Sequence, residues 1–133
     1  MKNKILAVLM AAISSLAMAG EFQVSYSSEC QLMSKRQVYD LINEVGIAEG
    51  LSLRPEYHIA GTLRCFYHRG LSGPDSPVLP YTFRVTIEKQ VKDGNKKGWM
   101  TVSEWTSWGV TDGTRAWHDE LRKSVSQLIR QYR

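Results

Sequence analysis

Cysteine is scarce in this chain: two residues in 133, with no C-x-x-C pair, which removes dithiol redox chemistry and cysteine-only zinc sites. Histidine numbers three, and His58 and His68, on one side of a strand pattern, are ten residues apart. That is about 33 Å of extended chain, too far to share a metal. Cys65 and His68 have the spacing of half a zinc site, but strand alternation sends them to opposite faces, so neither metal nor other cofactor is expected. G-x-S-x-G, H-E-x-x-H and glycine-rich phosphate loops are all missing. Internal repeats and low-complexity tracts are missing too. Charge of one sign is also in short supply, with 17 Lys+Arg against 13 Asp+Glu. So mild a balance makes no case for nucleic acid as a partner.

Beyond the first nineteen residues no apolar run approaches the roughly twenty needed to cross a bilayer. The first nineteen are different. Lys2 and Lys4 precede an apolar stretch from Ile5 to Ala12, and after Ser14 and Ser15 the segment closes on Ala17-Met18-Ala19. A charged start, a short apolar centre and an A-x-A ending form the pattern of a secretory signal peptide, with cleavage expected after Ala19. Residues 20–133 are then expected as one domain, exported to the periplasm or secreted. Losing Lys2 and Lys4 leaves 15 basic against 13 acidic residues, a net charge of +2. In an oxidising compartment the even pair Cys30 and Cys65 reads as one disulfide. Closing a loop of that length stabilises a small domain by roughly 3 to 4 kcal/mol in the chain-entropy view.

Phe22, Val24 and Tyr26 alternate with polar neighbours, a short strand. Ser34 and Gln37 fit a capping box, Met33 and Val38 a hydrophobic staple, and Val38, Leu41, Ile42 and Val45 recur at helical spacing. This predicts a helix over 35–48, ended by Gly46 or Gly50. From Glu56 to His68 the odd residues Tyr57, Ile59, Leu63, Cys65 and Tyr67 form an apolar side. Gly70 to Pro80, with two glycines and three prolines, interrupts the strand. Tyr81, Phe83, Val85, Ile87 and Val91 repeat the alternation before a hairpin connection at 92–98. In the third long strand, 99–110, the expected inward set is Met100, Val102, Trp108 and Val110. After Asp112-Gly113-Thr114 a final helix carries Trp117, Leu121, Val125, Leu128 and Tyr132 as its stripe.

The expected fold is therefore α+β, in the order β-α-β-β-β-α. It is a two-layer sandwich with an antiparallel sheet of three to four strands and both helices on one face, since only one side of each strand is consistently apolar. This order of elements is similar to that of the lipopolysaccharide-assembly lipoproteins and of the amino-terminal domains of TolB-like periplasmic proteins. The likeness spans most of the chain after the leader and is carried by element order alone. No residue role follows from it, and the lack of a lipidation cysteine departs from the lipoprotein group.

Candidates for catalysis are few. His118-Asp119 beside Ser103 or Ser107 is the best assembly for a small hydrolase, and Glu88 with Glu104 the best carboxylate pair, though alternation sends those two to opposite faces. No catalytic residue is assigned, and the chain is expected to be non-catalytic. The open sheet face carries more information. Alternation gathers Arg64, Phe66, Arg84, Trp99 and Trp105 there, where threonine, lysine and glutamate are usual. Trp and Arg dominate binding hot spots. The expectation is an accessory protein of the cell envelope that uses this face to bind a protein partner or an anionic glycan. A second reading is a small inhibitor or immunity protein that blocks an extracytoplasmic enzyme through the 70–80 loop.

Overall fold

A computed structural model describes residues 22–67 and 78–133. The proposed leader, His68 and most of the 70–80 loop lie outside the described residues. Strand β1 (Gln23–Glu29) leads to helix α1 (Lys35–Ala48), followed by β2 (Tyr57–Cys65), β3 (Leu79–Asp93), β4 (Lys96–Thr111) and helix α2 (Arg115–Tyr132). The four strands form one sheet in the order β1-β2-β3-β4. The α+β architecture is as expected, with one correction to the sheet: β1 runs parallel to β2, so the sheet is mixed. The reason is the crossover. A helix between two neighbouring strands returns the chain to the end where it began, whereas the connection from β3 to β4 is a tight hairpin.

Helix α1 forms where its caps dictate. Ser34 Oγ accepts from the Gln37 backbone N–H at 3.2 Å, and the Gln37 side-chain oxygen accepts from the Ser34 N–H at 2.8 Å. Met33 and Val38 are both buried beside this box. At the other end Gly50 takes φ +66°, and the N–H groups of Gly50 and Leu51 reach the carbonyls of Ile47 and Gly46, a Schellman closure. Gly46 therefore lies inside the helix, and the Phe22 ring occupies the place of its missing side chain. In the hairpin, Gly94 at φ +61° followed by Asn95 at negative φ has the pattern of a type II′ turn.

The core lies between the two helices and one sheet face. Ile59 and Leu63 of β2 and Phe83, Val85 and Ile87 of β3 are fully buried. They meet Val38 and Ile42 of α1 and Leu121, Val125, Leu128 and Ile129 of α2. The α2 stripe differs from expectation at its end, where Ile129 is buried and Tyr132 is exposed. The Cys30–Cys65 disulfide is present. Because Glu29 pairs with Arg64, it joins the ends of two neighbouring strands.

One irregularity positions everything that follows. β4 has 16 residues against 15 in β3. The extra residue is absorbed between Ile87 and Glu88: Ile87 pairs with Ser103 and Glu88 with Thr101, leaving Val102 unpaired as a bulge. Beyond a bulge every side chain changes face relative to simple alternation.

Candidate functional site

Residues paired across a ladder share a face. Phe83, Val85 and Ile87 face the helices, so their partners Ser107, Trp105 and Ser103 do so as well. The expected inward set of β4 thus fails from the bulge onward, while Met100 before it is on the helix side as expected. Trp108 and Val110 lie on the open face opposite Thr82 and Pro80, while Met100, opposite Lys89, is 49% exposed on the helix side. Apart from Trp105 and Met100, the helix-facing positions of β4 are small or hydroxylic, namely Ser103, Ser107 and Gly109. The Ser107 and Ser124 hydroxyls hydrogen-bond, Ser103 Oγ accepts from Gln131 at 3.3 Å, and a side chain on Gly109 would touch the Tyr81 ring.

Of the five residues expected on the open face, Arg64, Phe66, Arg84 and Trp99 are there and Trp105 is not. Trp99 lies before the bulge and Trp105 after it, so six residues of apparent alternation end on opposite sides of the sheet. The four that remain do not form one surface either. Trp99 is at the hairpin end, stacked on the His58 ring with centroids 3.8 Å apart. Beneath it His58 is 5% exposed, its Nε2 2.6 Å from Glu88 and its Nδ1 3.5 Å from Ser25 Oγ. A hydroxyl, an imidazole and a carboxylate stand in the sequence that nucleophilic catalysis uses. Here the indole covers the imidazole, and the serine contact is at the limit of hydrogen bonding.

The guanidinium groups are already occupied. Arg84 donates to both Glu104 oxygens, at 2.7 and 3.3 Å, and Thr106 donates to the same carboxylate at 3.2 Å. Hydrogen bonding by Arg84 holds the Glu104 carboxyl below its usual range, and Glu104 in turn raises Arg84. Arg64 reaches Glu29 at 3.3 Å. The bulge also brings Glu104 to the same face as Glu88, but each has its own basic partner, so they do not act as a carboxylate pair. Arginines matched by carboxylates have little to offer an anion.

What remains open is the other end of this face. Phe66 donates its backbone N–H to the Pro80 carbonyl, Pro80 pairs with Val110, and Trp108 is two residues along β4. Trp108 is 79% exposed, Val110 53% and Phe66 46%. Together they bare on the order of 400 Å² of apolar surface, taking ~150–250 Å² for a large side chain. Trp108 escaped the sequence reading because nothing in 99–110 marks which residue is the bulge.

His118 is not assembled with Ser103 or Ser107. Its Nε2 is buried without a hydrogen-bond partner, and it borders a hollow with Met33, Asp40, Glu44 and Arg122 between the helices. A larger pocket of about 440 Å³ opens at the start of α2, between Tyr81, Trp117, Asp112 and Glu120. Burial, helped by the Glu120 charge, pushes the Tyr81 hydroxyl up. Among the described residues no group of three or more His, Cys, Asp or Glu side chains converges as a metal site. No described helix is long and apolar enough to cross a membrane. In comparison with known proteins, the chain matches no family model and no curated protein sequence.

Proposed function

We propose that this chain is an exported, non-catalytic binding protein of the cell envelope, which holds a protein partner on the apolar end of its open sheet face. The observation that carries this reading is the exposure of Trp108, at 79%, in a row with Val110 and Phe66. Exposed aromatic residues in a contiguous patch of a few hundred Å² are typical of contact surfaces. The Arg64–Glu29 pair at the patch edge supplies a polar rim. Two observations support export: the leader pattern, and the disulfide, which persists in oxidising compartments. The protein partner is favoured over the anionic glycan because Arg84 and Arg64 are both neutralised by glutamates.

The test is a photo-crosslinking residue placed at Trp108, and separately at Ile47 on the far surface of α1, in cells that make the full chain. A discrete adduct with one protein other than a second copy of this chain at position 108 and none at 47 is the expected result. The same adducts at both positions, or none at 108, overturns the reading.

A further inference from the structure

The sheet has two edges, and they are treated differently. β1 is seven residues long and its open-face side chains are Gln23, Ser25, Ser27 and Glu29, a short polar edge of the kind that resists pairing. β4 is 16 residues long and has no strand on its outer side among the described residues. Along it Trp99, Met100, Val102, Trp105, Trp108 and Val110 are all exposed, between 37% and 79%. Its charges are Lys96 and Lys97 at one end and Glu104, which Arg84 neutralises. A long apolar edge whose one central charge is paired is a template for another strand.

We propose that the occupant is a second copy of this chain, joined β4 to β4 in antiparallel fashion about a two-fold axis, so that two four-stranded sheets become one of eight strands. The bulge supplies the argument. Before Val102 the odd residues of β4 face the open side, and after it the even ones do. An antiparallel pairing centred between Val102 and Ser103 sets each copy's first half against the other's second half, so faces match along the whole length from 96 to 109. A parallel pairing lacks the two-fold closure and lays Lys96 and Lys97 beside their own copies.

In the antiparallel register Met100 stands opposite the partner's Trp105 on the helix side, and Trp99 opposite the partner's Thr106 on the open side. Lys97 stands opposite the partner's Trp108, a cation against an indole, and this occurs twice by symmetry. No like charges are opposed. The five exposed side chains within 96–109, Trp99, Met100, Val102, Trp105 and Trp108, offer roughly 550 Å², taking ~150–250 Å² for each large residue fully bared. With the backbone edge added, that approaches the roughly 800 Å² per partner of a standard interface. Strand addition and the partner proposed for the open face share Trp108, and the two are tested apart: self-association of the purified chain reports the dimer, and an adduct with a different protein at position 108 reports the partner.

The experiment is sedimentation velocity on the exported form recovered from cells making the full chain, with Val102→Lys, Val102→Glu and Ile47→Lys variants. Val102 is at the bulge and 41% exposed, so either charge is compatible with folding, which thermal unfolding verifies. The wild type and Ile47→Lys are expected to be dimers at high micromolar concentration. Val102→Lys and Val102→Glu are each expected to be monomers, because like charges then meet at the axis, and an equimolar mixture of the two is expected to regain the dimer. A monomeric wild type overturns the proposal. So does a dimer that survives in either Val102 variant, or a mixture that fails to associate.

Discussion

Replacing Trp105 and Trp108 by alanine, one at a time, separates the two faces of β4 energetically. Trp105 is 37% exposed and faces the helices, so about 160 Å² of a side chain of ~250 Å² is covered. At ~25 cal/mol per Å² its loss costs about 4 kcal/mol, or about 3 once the partial compactness of the unfolded chain is allowed for. Trp108 is 79% exposed and covers only about 50 Å², so the same substitution costs about 1 kcal/mol. Urea titration followed by circular dichroism measures both, and an unchanged slope certifies that the midpoints report stability. In thermal unfolding the gap of about 2 kcal/mol corresponds to roughly 10 °C for a domain of this size. Equal losses, or a larger loss for Trp108, would refute the bulge-shifted register, because simple alternation buries Trp108 and exposes Trp105.

Two further outcomes follow from the packing and the charges. A side chain at Gly61 would stand 2.4 Å from Ile42 Cδ1, so Gly61→Ala is expected to cost roughly 1 to 3 kcal/mol by overpacking. Ile42→Val, which removes that methyl, costs roughly 0.5 to 1.5 kcal/mol alone. The double variant is expected to lose clearly less than the sum, and additive losses in urea titration would mean that α1 does not sit over β2 at that point. Glu49 accepts from Ser126 at 2.6 Å and pairs with Arg130 and Arg133, and these contacts hold its carboxyl below the usual range, as Arg84 does for Glu104. A carboxyl depressed in the folded state contributes stability above its unfolded pKa and loses it as pH falls through the folded one. The midpoint of unfolding should therefore drop across and below the ordinary carboxylate range. Glu49→Gln with Glu104→Gln should flatten that acid limb, and an unaltered limb would show that these pairs do not couple to folding.

Much of the architecture was legible because it rests on local chemistry. The Ser34 box, the Met33–Val38 staple and the Gly50 closure are short-range signals, and the helix runs over the residues they delimit. The alternations of β2 and β3 each have one face of aliphatic and aromatic residues, and that face is the buried one except at Tyr67 and Val91, which are exposed at its ends. The disulfide followed from a pair of cysteines and a leader pattern. The parallel placement of β1 was not readable, because strand direction depends on where the crossover lands, and no residue in β1 records it.

The open sheet face was legible only in part, for a similar reason. Arg64 and Arg84 belong to strands with unbroken alternation and Phe66 directly follows one, so their side of the sheet could be inferred residue by residue. β4 is aromatic on both parities, so hydrophobicity could not choose a face, and a single unpaired residue at Val102 reversed the assignment of everything after it. Composition and spacing therefore determined the elements, their caps, their order and the layer of helices over an apolar sheet face, since each depends on neighbours within a few residues. Only the folded chain decided that Trp108 stands in solvent, that Trp105 lies toward α2 and that the arginines are matched by glutamates. Those outcomes depend on pairing between segments twenty or more residues apart, where one inserted residue turns a side chain to the other face.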